Sequence, residues 1–322
     1  MIDLIDLIDP HVHCRDGKWA YKDTIAHVFE LANAQGVKVI FDMPNSDPPI
    51  LTEKDVHKRF ALVPETQKRN YFLYLGLTSD EEQLEQAVAT FNRLTRVIGF
   101  KLYAGKSVGD LAVIDQEEQI KIYSILTALE YTGVIAVHCE KERFLRPDLF
   151  NPRKAATHSL ARPKEAEVAS IQDQINFVKK TGFQGTLHIV HVSCPESVEL
   201  VDSARKEIKI TCGVTPHHIL WNKNMMNGTE GLIHKTNPPL RDKEDVDGLR
   251  EQLKTGKIDW IETDHAPHAI GEKLFSPYLS GFPSLYVYRY FVQYFLPGLG
   301  LNGKEIRKLT HDNICQTFNL DV

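Results

Sequence analysis

Eight short, nearly continuous apolar runs recur along the 322 residues, and helical patterns separate them. An uninterrupted apolar run of strand length is typical of a strand that is buried on both faces of a parallel sheet. Eight such strands, each followed by a helix, predict an α/β protein with a single (β/α)8 TIM barrel rather than an open sheet. The predicted strands are 4–11, 37–42, 71–77, 97–103, 134–138, 186–192, 208–215 and 258–263.

The helical patterns between these runs are regular. Between the first two strands, Ile25, Val28, Phe29 and Ala32 recur at helical spacing, and the pattern stops at Gly36. A chain of this length can form two domains or one barrel, and no linker or repeat divides it, so we predict one barrel domain over residues 1–322. The other predicted helices are 53–62, 80–95, 116–131, 164–180, 195–206, 243–254 and 284–296.

Charge and cysteine usage limit the expected partners and location. The net charge is −5 and the basic residues are scattered, so we expect no basic surface that would bind nucleic acid. We expect a small-molecule substrate instead. The apolar runs are of strand length and no positively charged leader precedes them, which predicts no membrane span and a cytoplasmic location. The five cysteines include no Cys-x-x-Cys pair, which predicts reduced thiols.

The end of the first predicted strand carries a candidate metal site. His11 and His13 are two residues apart, so on a strand their side chains point to the same side, and Arg15 follows on that side. Imidazoles suit zinc, and a guanidinium can pair with a carboxylate. Since 14 histidines in this length give about 0.6 His-x-His pairs by chance, the pair alone is weak evidence.

Further chemical groups follow the other predicted strands. Four longer irregular stretches, 104–111, 141–163, 221–242 and 265–281, each follow a strand's carboxyl end, which is the face on which barrel enzymes carry their sites. Imidazoles, a carboxylate and an amine that converge at one barrel mouth predict a binuclear metal centre. The groups at the strand ends or in the loops after them are His11, His13, Asn45, Lys101, His138, His191, Asn237, Asp264 and His268.

In this order the motifs resemble dihydroorotase, a family of the amidohydrolase superfamily. The resemblance spans residues 9 to about 283 and implies the reversible, zinc-dependent interconversion of L-5,6-dihydroorotate and N-carbamoyl-L-aspartate in pyrimidine biosynthesis. The segments that carry it are Asp9-Pro10-His11-Val12-His13-Cys14-Arg15, Met43-Pro44-Asn45, Phe100-Lys101-Leu102-Tyr103, His191-Val192-Ser193, Thr215-Pro216-His217-His218, Asn237-Pro238-Pro239-Leu240-Arg241 and Thr263-Asp264-His265-Ala266-Pro267-His268.

The resemblance also implies a ligand set. It assigns one zinc to His11, His13 and Asp264, and the other to His138 and His191. A carboxylated Lys101 would bridge the two ions, since a carbamate offers two anionic oxygens whereas an ammonium has no acceptor. Asp264 would also take the proton of the attacking water and pass it to the leaving nitrogen.

The implied substrate-binding residues are Arg15, Asn45, Asn237 and His268, which resemble the groups that hold the substrate's carboxylate and ring amide. For the two asparagines the alternative is a turn residue next to proline, and for His268 it is a more distant hydrogen-bonding role. His188 is expected to pack against a helix. His217 and His218 are expected to support the barrel mouth.

The chain departs from the family pattern at two places. The flanking segments that form a small β-sandwich in such proteins are expected to be reduced or absent, and Arg15-Asp16-Gly17-Lys18 stands where Arg-Glu-Pro-Gly is familiar. The loop 104–110, with two glycines among polar residues, is predicted to form a mobile lid over the substrate.

Three classes of alternative function compete with this one: another cyclic amidohydrolase, a silent scaffold and a metal-binding protein. Allantoinase and hydantoinase share metals and fold but act on rings without the same carboxylate, so a permanently charged Arg15 favours dihydroorotate. A catalytically silent scaffold barrel is disfavoured because every expected ligand is present. A non-enzymatic metal-binding protein would leave Arg15, Asn45 and His268 without a purpose. Homo-oligomerisation and association with another enzyme of the pyrimidine pathway stay open.

Overall fold

The computed structural model describes residues 6–107 and 111–322, and eight parallel strands form its barrel sheet in the order β1 to β8. A parallel bridge from Val12 to His265 brings the chain after β8 back to β1 and closes the ring. The predicted barrel is confirmed. The strands are β1 Leu7–Val12, β2 Val37–Asp42, β3 Tyr71–Gly76, β4 Val97–Ala104, β5 Val134–Cys139, β6 Thr186–Ile189, β7 Ile210–Val214 and β8 Trp260–Ile261.

Every strand is followed by a helix that packs on the outside of the barrel. Several helices begin at the capping residues their sequences offer: the Thr24 side chain accepts from the His27 N–H, and Asp80 accepts from Gln83. The long helices are Ile25–Ala34, Glu53–Ala61, Glu81–Arg93, Gln116–Ala128, Lys164–Thr181, Pro195–Ala204 and Lys243–Lys254, and the helix after β8 runs as Leu285–Tyr290 and a π-helical turn, Phe291–Phe295.

Shorter helices lie in the loops and at the end of the chain. They are His158–Ala161, Pro216–Leu220, Ile270–Leu274, Leu296–Gly298, Gly303–Arg307 and Asn313–Phe318, with a second π-helical turn at Lys308–Asp312. None of the described helices is long and apolar enough to cross a membrane.

Two apolar clusters show how the alternation of strand side chains builds the barrel. The larger cluster joins outward strand residues such as Phe100 and Leu102 to the helices. The smaller cluster fills the barrel interior, where Phe318 packs its ring 5.0 Å from Phe41 and 5.9 Å from Trp260. With the interior filled, the opposite mouth, where the strands' carboxyl ends meet, is left for polar groups.

The sequence pattern overestimates the lengths of the sixth and eighth strands. The expected 186–192 and 258–263 shorten to Thr186–Ile189 and Trp260–Ile261. The chain leaves strand geometry after each, because His191 and Asp264 have positive φ angles of 39° and 48°. These are the residues predicted as metal ligands there, and the left-handed turns re-aim their side chains.

Candidate metal centre

The predicted metal ligands meet at the carboxyl ends of five strands. His11 lies in β1, Lys101 in β4 and His138 in β5, whereas His191 and Asp264 lie just beyond β6 and β8. All five are buried and line one cavity, together with His13 just after β1.

One half of the centre is a His–His–Asp group. His13 Nε2 lies 2.9 Å from Asp264 Oδ1, and His11 Nε2 lies 3.3 Å from the same oxygen. One ligand atom from each residue fits within a span of 4.8 Å, so the three can hold one ion. Two imidazole nitrogens and a carboxylate oxygen are donors that zinc accepts.

The other half is a pair of imidazoles. His138 Nδ1 and His191 Nε2 face each other at 3.1 Å. The His191 ring is also 5.4 Å from the His11 ring, so the two halves are adjacent. The two halves therefore bring four imidazoles together in one buried cavity.

The protein alone leaves polar atoms at this centre without partners. Among the described residues, nothing hydrogen-bonds to Lys101 Nζ, His11 Nδ1 or His191 Nδ1, although all three atoms are buried. Buried polar atoms are nearly always paired because an unpaired one costs stability. The residues present therefore fit a centre that is completed by a bound metal ion.

Electrostatics favour the forms that bind metal. Burial lowers the pKa of His11 to about 4 and, with Lys101 nearby, keeps the imidazole neutral. Burial alone would raise the pKa of Asp264, but the hydrogen bond with His13 and the field of His11 outweigh it and hold that pKa well below its usual range. Burial also lowers the pKa of Lys101 to about 8.

Carboxylates that the sequence analysis missed orient two of the histidines. Glu140 accepts from His138 Nε2 at 2.9 Å and is itself held by Arg162 at 2.9 Å. Glu262 accepts from the backbone N–H of His191 and lies beside His11. Each carboxylate is two residues from a predicted ligand, a spacing that could have revealed them because i and i+2 share a face in a strand.

His188 contradicts its prediction. We expected it to pack against a helix, but it lies inside the barrel, with Nε2 3.1 Å from Glu262 Oε2 and its ring 4.2 Å from the Trp260 ring. It therefore belongs to the same inward row as the site, one layer below. The sequence pattern could not predict this position, because it does not show that the Glu262 carboxylate lies beside His188.

The structure agrees with the roles expected for His217, His218 and the cysteines. His217 Nδ1 lies 3.0 Å from Ser284 Oγ, and His218 Nε2 lies 3.1 Å from the Pro238 carbonyl, so both tie together loops at the barrel mouth. All five cysteines are free thiols.

Arg15 lines the same cavity as the predicted metal ligands. Its side chain is buried and its Nε donates to the Pro267 carbonyl at 3.0 Å, while Arg59 donates to the Arg15 carbonyl. Within residues 6–107 and 111–322, no carboxylate forms an ion pair with it. Burial lowers the pKa of Arg15 to about 10, which still leaves it charged at neutral pH.

The other three predicted substrate residues have different surroundings. Asn45 and Asn237 line the cavity, but Asn45 Oδ1 lies 2.7 Å from His13 Nδ1 and so orients a ligand imidazole. Asn237 Oδ1 lies 3.0 Å from His158 Nε2. His268 stands behind the cavity wall, with Nε2 3.2 Å from Arg15 Nη2.

The loop predicted as a lid is described only in part. Ser107 lines the cavity, and Gly105 lies against Glu140, where a Cβ would meet the Glu140 carbonyl at 2.0 Å. The other half of the prediction falls on residues 108–110, which lie outside the described residues.

Comparison with solved structures identifies the class of fold. L-hydantoinase from Arthrobacter aurescens superposes with a TM-score of 0.83 at 22% identity, over 98% of this chain and 71% of that one. Dihydroorotase from Campylobacter jejuni superposes with a TM-score of 0.74 at 18% identity, over 98% and 84%. The chain therefore has the same fold as these solved hydantoinase and dihydroorotase structures. No family model matches the chain.

Sequence comparison with curated proteins narrows the class. Dihydroorotase from Aeropyrum pernix is 32% identical over 284 residues, which are 87% of this chain and 61% of that protein. Dihydroorotase from Lactobacillus johnsonii is 34% identical over 83% of this chain and 61% of its own length. The chain is a relative of the dihydroorotases, and it spans about three fifths of the length of these two.

Proposed function

We propose that this protein is a dihydroorotase, which reversibly hydrolyses L-5,6-dihydroorotate to N-carbamoyl-L-aspartate in de novo pyrimidine biosynthesis. The observation that carries the proposal is Arg15, a buried guanidinium that faces the metal-ligand cavity and has no carboxylate partner among the described residues. A buried charge needs a counter-charge, and the substrate's carboxylate would supply it. The named relatives support the same reaction.

The metals that this reaction uses would be held by the residues described above. We propose zinc at His11, His13 and Asp264, a second zinc at His138 and His191, and a carboxylated Lys101 between them. Lys101 Nζ supports the modification, because it is buried, finds no hydrogen-bond partner among the described residues and belongs to a side chain that lines the same cavity as the histidines. When bound, the ions would make a water acidic and polarise the carbonyl that is attacked.

The chain's own residues position the substrate and move the proton. Arg15 would hold the ring carboxylate, and His268 and Asn237 would fix the guanidinium and the ring amide, so that one carbonyl faces the centre. Asp264 would accept the proton of the attacking water and give it to the ring nitrogen as the C–N bond breaks. In the reverse direction it would take the proton from the ureido nitrogen.

Hydantoinase-type or allantoinase activity is the alternative function. Solved hydantoinases have the same fold as this chain, but at 22% identity or less the likeness supports only the fold. Rings without a carboxylate would leave Arg15 unpaired, which favours dihydroorotate. A silent scaffold is disfavoured because the expected ligands converge. We further propose that residues 1–322 form one domain, that the substrate is a small molecule and that the protein is cytoplasmic. Homo-oligomerisation, or association with another enzyme of the pathway, can be tested by measuring the mass of the protein in solution.

The test is a zinc-supplemented assay of dihydroorotate ring opening near pH 8, with allantoin and a simple hydantoin in parallel. Arg15→Ala should abolish turnover of dihydroorotate, and Arg15→Lys should restore little because a bidentate fork is lost. Lys18→Ala is the matched control, since Lys18 is exposed and pairs with Asp47 on the surface. Preference for an uncharged ring would favour the hydantoinase reading, and no turnover by metal-loaded protein would favour the scaffold.

A further inference from the structure

Tyr103 presents an unpaired hydroxyl to the cavity. It lies in β4 two residues after Lys101, so both side chains point into the barrel mouth, and both line the cavity. The Tyr103 hydroxyl is buried, and no atom among residues 6–107 and 111–322 hydrogen-bonds to it. A phenol is buried at this depth only at a cost unless something pairs with it.

Three other buried tyrosines pair their hydroxyls within the protein. Tyr71 donates to Asp42 at 2.6 Å, Tyr123 to Gln174 at 2.8 Å, and Tyr131 to the Val134 carbonyl at 2.9 Å. Tyr288 shares the unpaired state but does not line the cavity. Tyr103 thus combines a missing partner with a position where a ligand would bind.

The surroundings of Tyr103 locate its hydroxyl relative to the chemistry. Lys101 Nζ is 5.1 Å from the Tyr103 ring centre, and the His138 ring is 6.3 Å away. Asp264 and Arg15 line the same cavity as Tyr103. The Tyr103 side chain therefore lies in the pocket that holds both the metal ligands and the guanidinium, and its hydroxyl can donate a hydrogen bond there.

We propose that the Tyr103 hydroxyl is a catalytic hydrogen-bond donor to the carbonyl oxygen of the amide that is hydrolysed. The inference rests on the proposed function. As water adds to the carbonyl carbon, that oxygen gains negative charge, and a donor held ready in a dry site stabilises it. The ring C–N bond then breaks and the nitrogen receives its proton from Asp264, while Tyr103 keeps its own proton throughout.

The substitution Tyr103→Phe tests this with little disturbance, because it removes only an atom that makes no hydrogen bond within the described protein. We expect kcat to fall by about 10- to 1000-fold in both directions, with KM for dihydroorotate little changed and metal content equal to that of the wild type. Tyr123→Phe is the matched control, since it removes a buried hydroxyl remote from the cavity and should leave kcat unchanged.

The two variants also differ in stability. Tyr123→Phe breaks a hydrogen bond and should lower Tm, whereas Tyr103→Phe should leave Tm unchanged or raise it. An unchanged kcat, or an increase in KM alone, would overturn the catalytic role, and a Tm loss as large as that of the control would show a structural partner. Wild-type protein that opens no cyclic amide would overturn the proposed function and this role together, whereas an active wild type beside an equally active variant would overturn only the role of Tyr103.

Discussion

The two sides of the cavity are built by different means. On the metal side, the ligands stand on strands or directly after them, and carboxylates such as Glu140 orient them from within the barrel. On the substrate side, Arg15 and His268 stand on loops that are held by backbone carbonyls and by buried lysines. The comparison teaches that strand geometry fixes the reacting centre, whereas loop packing sets which ring enters it.

The largest expected effect breaks the metal side. Lys101→Ala removes the proposed bridge, so we expect loss of at least one bound ion and a fall in dihydroorotate turnover of more than about 1000-fold, because several kcal/mol of charge stabilisation disappear. Metal content by mass spectrometry and turnover check this. Lys121→Ala, at an exposed position on the outer helix Gln116–Ala128, should change neither. Full metal content in Lys101→Ala would contradict the bridging role.

A smaller effect tests the orientation of the ligands. Glu140→Gln keeps the shape but weakens the charged contact with His138, so we expect about 10- to 100-fold weaker metal binding. Competition with a chelator measures it. An affinity equal to that of the wild type would mean that the barrel alone orients His138.

The substrate side should respond without loss of metal. His268 links the residues of this wall, because its Nδ1 lies 3.2 Å from Lys22 Nζ and its Nε2 lies 3.0 Å from the Ser280 carbonyl oxygen. His268→Ala should loosen this wall beside Arg15 and raise KM about tenfold, the effect of roughly 1.4 kcal/mol. Metal content should stay at the wild-type value, and the exposed His57→Ala is the control. Loss of metal in His268→Ala would erase the distinction between the two sides.

The smallest effect concerns the buried lysines that hold the substrate loops. Lys273 Nζ donates to the Lys235 and Gly281 carbonyls, and burial, with Lys235 and Arg15 nearby, lowers the pKa of Lys273 to about 7. Below that pH the folded state carries the full cost of the buried charge, and the cost disappears as pH rises toward the usual pKa of 10.5.

The matching experiment compares melting temperatures across pH. The Tm of Lys273→Met minus the Tm of the wild type should be highest near pH 7 and should fall steadily toward pH 10. The reason is that only the wild type gains stability as its buried ammonium loses its charge. Lys304→Met, at an exposed position, should show a difference that is constant with pH. A constant difference for Lys273→Met as well would show that Lys273 keeps an ordinary pKa in the folded protein.

Much of the architecture could be predicted because it depends on local pattern. Continuous apolar runs and Gly36 at a helix end indicate eight strand–helix units, and the barrel is confirmed. The ligand roles stay predictions, although the structure brings their side chains into one cavity. Asn45 was less predictable: its carbonyl oxygen faces His13, a contact across 32 residues that no turn signal beside Pro44 could indicate.

The sequence by itself determined the order of strands and helices, because that order follows from periodicities of a few residues. Only the tertiary structure decided that His188 pairs with Glu262 inside the barrel, that Asp264 meets His13 across 251 residues, and that the Tyr103 hydroxyl finds no hydrogen-bond partner among the described residues. The physical reason is barrel closure. Whether a buried polar group is satisfied depends on which distant strand ends the ring brings beside it.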